Sequence, residues 1–120
     1  MELAKRLTSR TAVIARLNDS ARLGLDRRAR VLFTRNCLET FSEMLAIHPA
    51  QVQAQLFSAF RRCEFAADSP EHDFASIIFN DRKVWLKIDY YDLACEYGSE
   101  DPADAAMTTR VITILLPEDY

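Results

Sequence analysis

The chain has 120 residues, 49% apolar and 28% charged, with only two Gly and four Pro. This composition fits a single domain over residues 1–120 and excludes collagen-like, low-complexity and largely disordered classes. The net charge of −3 hides a split: residues 1–62 carry 11 Lys/Arg against 5 Asp/Glu, and residues 63–120 carry 4 against 13.

In chain order, Leu3, Leu7, Ile14, Leu17 and Ala21 fall on one helical stripe. Lys5, Arg6, Arg10 and Arg16 lie mostly off it. The spacing predicts an amphipathic helix over residues 2–21 that stops near Gly24, with Arg22 in its last turn. Arg30 to Arg35 is short and rich in β-branched and aromatic residues, which predicts a first strand. Leu38, Phe41 and Leu45 allow a helical turn or two, or a continuation of that strand. Pro49 opens a second helix with an apolar stripe of Val52, Leu56, Ala59, Phe60 and Cys63.

From His72 the period changes to two. Ala75, Ile77 and Phe79 alternate with Phe74, Ser76 and Ile78, and Val84, Leu86 and Ile88 alternate with Trp85, Lys87 and Asp89. A hairpin turning at Asp81-Arg82 would pair Phe79 with Val84, Ile77 with Leu86 and His72 with Tyr91. One hairpin face is then apolar and packs on the helices. The other carries Phe74, Ser76, Trp85, Lys87, Asp89 and Tyr91. An acidic connection follows, in which Asp104 can cap a short turn over Ala105–Met107. The segment Arg110 to Leu116 is apolar on both faces and predicts a central or covered strand. The order α-β-α-β-β-β defines an α+β domain, with helices on one face of a mainly antiparallel sheet.

Cys37, Cys63 and Cys95 are widely spaced and odd in number, which points to reduced thiols rather than a disulfide framework or a zinc site. No apolar run reaches the roughly 7–15 residues of a signal peptide or the roughly 20 of a membrane helix. The expectation is a cytoplasmic protein without a membrane partner.

Three stretches carry a resemblance. They are Glu71-His72-Asp73-Phe74, Trp85 to Asp92, and Tyr97 to Asp104 with Thr109 to Ile114. Together they resemble the small bacterial family called domain of unknown function 3768, common in alphaproteobacteria and on their plasmids. The resemblance is dense over 71–120 and weaker over 12–62. It implies an α+β fold, a bacterial cytoplasm and an association with mobile elements. It assigns no catalytic residue.

Four constellations bear on function. His72, Asp73, Asp89 and Glu100 supply an imidazole and carboxylates, the raw material of metal or acid–base chemistry. Their spacing matches no ligand motif, and Asp73 and Asp89 have opposite strand parity. Trp85 and Tyr91 on the outer hairpin face suit a protein partner, a homodimer or cover by the chain itself. Arg27, Arg28 and Arg30 are the densest basic cluster and could contact phosphates, or pair with the chain's own acidic half. Glu96, Glu100, Asp101 and Asp104 form an acidic loop able to steer a basic partner. No Gly-rich phosphate loop or nucleophile motif occurs, so no cofactor is expected.

The leading expectation is a non-enzymatic interaction protein. It would act as a mobile-element accessory that binds or inhibits a host nucleic-acid-handling or defence complex through Trp85, Tyr91 and the acidic loop. The alternatives are a small metal-assisted hydrolase or nuclease, and a DNA-binding or antitoxin-like regulator using the arginine cluster.

Overall fold

The computed structural model describes residues 2–120, with side chains described from Ser9 onward. The expected stripe residues Leu3 and Leu7, and the basic Lys5 and Arg6, lie outside the described side chains. The elements are α1 (Glu2–Arg22), β1 (Arg30–Phe33), α2 (Arg35–Leu45), α3 (Pro49–Arg61), β2 (Phe74–Phe79), β3 (Arg82–Tyr91) and β4 (Thr109–Leu115), with short 3-10 turns at Ala105–Met107 and Pro117–Asp119.

Helix α1 stops where Gly24 takes φ +81°. There Gly24 N–H donates to Ala21 C=O and Leu25 N–H to Ser20 C=O, which closes the last carbonyls of the helix in a Schellman motif. The expected first strand ends earlier than Arg35, because Thr34 caps a new helix. Its hydroxyl accepts from Cys37 N–H at 3.2 Å. The ambiguous stretch is therefore helical, and the order becomes α-β-α-α-β-β-β. Cys37 and Phe41 turn into the core on the i, i+4 face. Helix α3 begins at Pro49 as expected, under a capping box in which His48 Nδ1 accepts from Ala50 N–H and Gln51 Oε1 from His48 N–H.

The four strands form one sheet in the order β1-β4-β3-β2. Strands β2, β3 and β4 run antiparallel in sequence, while β1 joins β4 in parallel. The sheet is thus mixed, and β4 is central and buried along most of its length. The hairpin turns at Asn80-Asp81, not at Asp81-Arg82. Both turn residues take positive φ, 47° and 65°. Asn and Asp tolerate that region and Arg does not, which fixes the loop one residue earlier. The register moves by two residues: Phe79 pairs with Arg82, Ile77 with Val84 and Ala75 with Leu86. A shift of two keeps every side chain on its expected face.

The inner face carries Ala75, Val84, Leu86, Ile88, Ile112 and Ile114, packed against Ala21, Cys37, Phe41, Val52, Leu56 and Phe60 from the three helices. Each large apolar side chain buried there contributes about 1.5–3 kcal/mol. The outer face carries Phe74, Ser76, Trp85, Lys87, Asp89 and Tyr91. Tyr120 folds back so that its ring meets Trp85 edge-on, 6.0 Å between centroids.

Candidate functional site

Behind the sheet lies a polar network that the sequence does not announce. Arg110 projects from β4 onto the inner face and is 1% exposed. Its Nε donates to Asn18 Oδ1 at 2.7 Å, an Nη donates to Pro102 C=O, and its guanidinium lies over the Tyr90 ring. Asn18 Nδ2 in turn donates to Tyr90 Oη and to Glu71 C=O. Burial lowers the Arg110 pKa and raises that of Tyr90 above its ordinary value. The Tyr90 hydroxyl itself donates to Glu71 Oε2. Next to it, Arg22 donates to Phe60 C=O and Arg61 C=O, which closes the end of α3. The network joins α1, α3, β3 and β4 across the same end of the domain.

His72 belongs to this network. It sits just before β2 at φ +61°, stacks on Phe65, and faces Asp19 Oδ1 through Nδ1 at 2.9 Å. It is not opposite Tyr91, which pairs with Thr109 and bridges to Gly98. Asp73 accepts from Ser69 Oγ, Asp89 pairs with Lys87, and Glu100 stands in the loop after β3. The four residues expected for metal or acid–base chemistry do not converge. Among the described residues no group of three or more His, Cys, Asp or Glu is placed to hold a metal ion.

The residues expected for a partner are also divided. Trp85 and Tyr91 share the outer face but stand six residues apart on one strand, about 20 Å at the usual rise. Trp85 borders a shallow groove of about 400 Å³ with Phe74, Lys87, Asp89 and Tyr120. Tyr91 stands at the far end, where the acidic loop begins.

That loop, residues 92–108, is fixed by its own polar groups. Asp92 N–H donates to Tyr97 C=O and Ser99 N–H to Tyr90 C=O. Asp92 Oδ1 accepts from Glu96 N–H, and Asp101 Oδ1 from Ala103 N–H. Asp104 Oδ1 accepts from Ala106 N–H and caps the turn Ala105–Met107, as expected. Thr108 Oγ1 donates to Asp101 C=O. The basic half holds the loop from outside: Arg10 pairs with Asp101 at 3.0 Å, and Arg28 donates to Ala105 C=O and Ala106 C=O. Arg28 is therefore engaged within the chain, while Arg27 and Arg30 stay exposed.

These contacts separate two kinds of acid. Asp92, Asp101 and Asp104 shape the loop. Glu96 and Glu100 are exposed and make no side-chain hydrogen bond or ion pair among the described residues. The same loop carries three exposed apolar side chains, Leu93 at 54%, Tyr97 at 74% and Met107 at 40%, and Leu93 shares a shallow pocket with Arg28, Arg30 and Thr109. Leu93 and Met107 were not expected from the sequence. They fit no helical or strand period, and only the folding of the loop brings them to the surface.

The geometry defines an α+β domain with a mixed four-stranded sheet, helices on one face and a braced acidic loop at one end. The chain belongs to the family described as "Protein of unknown function (DUF3768)", whose model matches residues 41–119. The match spans the acidic loop and the three C-terminal strands. No curated protein and no solved structure matches the chain. No helix among the described residues is long and apolar enough to cross a membrane.

Proposed function

We propose that this protein is a non-enzymatic binding module that captures a protein partner with the loop 92–108. The observation that carries this reading is the pairing of exposed apolar anchors with unengaged carboxylates on a loop already held in shape. Leu93, Tyr97 and Met107 supply apolar area, and Glu96 and Glu100 supply negative charge on the same loop. Aromatic anchors carry much of the binding energy at protein interfaces, and rim charges set the rate and the choice of partner. A braced loop loses little freedom on binding, which favours affinity.

The partner that fits is a protein with a basic surface around an apolar pocket. A host nucleic-acid-handling or defence complex has that chemistry, and its inhibition by a mobile-element accessory is the role we assign. The acidic loop competes there with a phosphate backbone. Three free thiols support a reducing, cytoplasmic setting.

The test is capture of partners by the tagged protein from its host, read by mass spectrometry. Wild-type protein should retain a specific partner, and Tyr97→Ala should lose it with an unchanged thermal midpoint. Retention by Tyr97→Ala and by the double variant Glu96→Gln/Glu100→Gln would remove the basis for this reading.

A further inference from the structure

We propose that the free edge of β2 pairs with the same edge of a second copy of this chain. The pairing does not rest on the role assigned to the loop. Strand β2 closes the sheet on one side. Ile88 N–H donates to Asp73 C=O at 2.8 Å, which sets the alternation along the β2–β3 ladder. Ala75, Ile77 and Phe79 therefore exchange their backbone hydrogen bonds with β3. Phe74, Ser76 and Ile78 point theirs outward, where none has a partner among the described residues.

The strand reads Phe-Ala-Ser-Ile-Ile-Phe, without charge or proline. Edge strands are commonly guarded by lysine, proline or a bulge, and β2 pairs with β3 residue for residue along its whole length. On the outer face Phe74 and Ile78 are 38% and 68% exposed.

The occupant follows from self-complementarity. An antiparallel copy centred on Ser76 sets Phe74 opposite Ile78, Ser76 opposite Ser76 and Ala75 opposite Ile77. Every outward N–H and C=O of Phe74, Ser76 and Ile78 then finds a mate. A slip by one residue would oppose outer to inner side chains. A slip of the register by one rung in either direction leaves Phe74 or Ile78 against a polar residue. The outer-face neighbours on β3 are Lys83, Trp85 and Lys87. In the paired sheet the lysines of the two copies stand three strand spacings apart, about 14 Å, beyond the Debye length of about 8 Å at physiological salt. The two flanking rungs are thus apolar at the centre and charged at the rim, and the middle rung sets the two Ser76 hydroxyls together between the Trp85 side chains. Pairing by one strand is a small interface, so it forms in a concentration-dependent way.

The experiment is sedimentation of the full chain across a wide concentration range, combined with amide exchange. Dimers should appear as concentration rises, and the amides of Phe74, Ser76 and Ile78 should slow in step. Ser76→Lys places two lysines face to face at the two-fold and should weaken the dimer several-fold without lowering the thermal midpoint. The proposal is overturned by a monomer at every concentration, or by a dimer whose edge amides exchange as fast as in the monomer. A dimer that Ser76→Lys leaves intact, or edge amides slowed only when another protein is added, also overturns it. The exchange measurement uses wild-type protein, so it decides the matter even where the variant fails to fold.

Discussion

Arg110 shows how a buried charge is held by hydrogen bonds, with no ion pair among the described residues. Its partners are an amide oxygen, a backbone carbonyl and the Tyr90 ring. Removing the guanidinium leaves Asn18 Oδ1 and Pro102 C=O without donors and opens a cavity. Arg110→Ala should cost about 3–5 kcal/mol in urea unfolding, and Arg110→Met, which keeps the volume, should cost less. Because Arg110 also holds Pro102, the alanine variant should be cleaved faster in the loop by added protease. Asp119 works at the opposite end. Burial would raise its carboxyl pKa, but hydrogen bonds from Thr34, Asn36 and Leu116 N–H outweigh that and leave it lowered. A depressed carboxyl contributes stability above its unfolded pKa of about 3.9 and loses it as pH falls through the folded value. The stability gap between wild type and Asp119→Asn should be flat from neutral to mildly acid pH and close below about pH 4.

At the scale of elements, caps and turns decide the outcome where periodicity is silent. Thr34 starts α2 by accepting from Cys37 N–H. Thr34→Ala should cost about 1 kcal/mol from this cap, with a further loss because the Thr34 hydroxyl also donates to Asp119. The other end of α2 closes on Ala46, a non-glycine residue at φ 53°. Ala46→Gly relieves that strain and should raise stability by roughly 0.5–1 kcal/mol in thermal unfolding. The hairpin obeys the same logic. Asn80 and Asp81 accept positive φ, and the turn they form sets the register of the whole β2–β3 ladder.

Across the whole molecule, the basic and acidic halves share one core, but among the described residues their opposite charges meet in few ion pairs. Arg10–Asp101 is the ion pair that joins them through the loop, and both side chains are nearly half exposed. Arg10→Ala should therefore change stability by less than about 1 kcal/mol. The larger part of the acidic charge faces solvent, where, in the role proposed for the loop, it would steer a partner over distance. Partner association through Glu96 and Glu100 should slow as salt rises, with a smaller change in dissociation. Stopped-flow mixing at increasing ionic strength separates the two rates.

The sequence by itself determined the α+β class, helices α1 and α3, the central place of β4 and the face of every hairpin residue. These rest on periods of 3.6 and two, and periodicity is local. It also determined Asp104 as a cap, because that bond spans two residues. Only the tertiary structure decided that β1 runs parallel to β4, that Arg110 turns inward to Asn18, and that His72 faces Asp19 and not Tyr91. Each of those contacts links groups 53 or more residues apart in the chain. Such pairings depend on how the helices seat on the sheet, which no local pattern records. The same holds for the candidate loop: its acids are plain in the sequence, but which of them bond its backbone depends on how the loop folds.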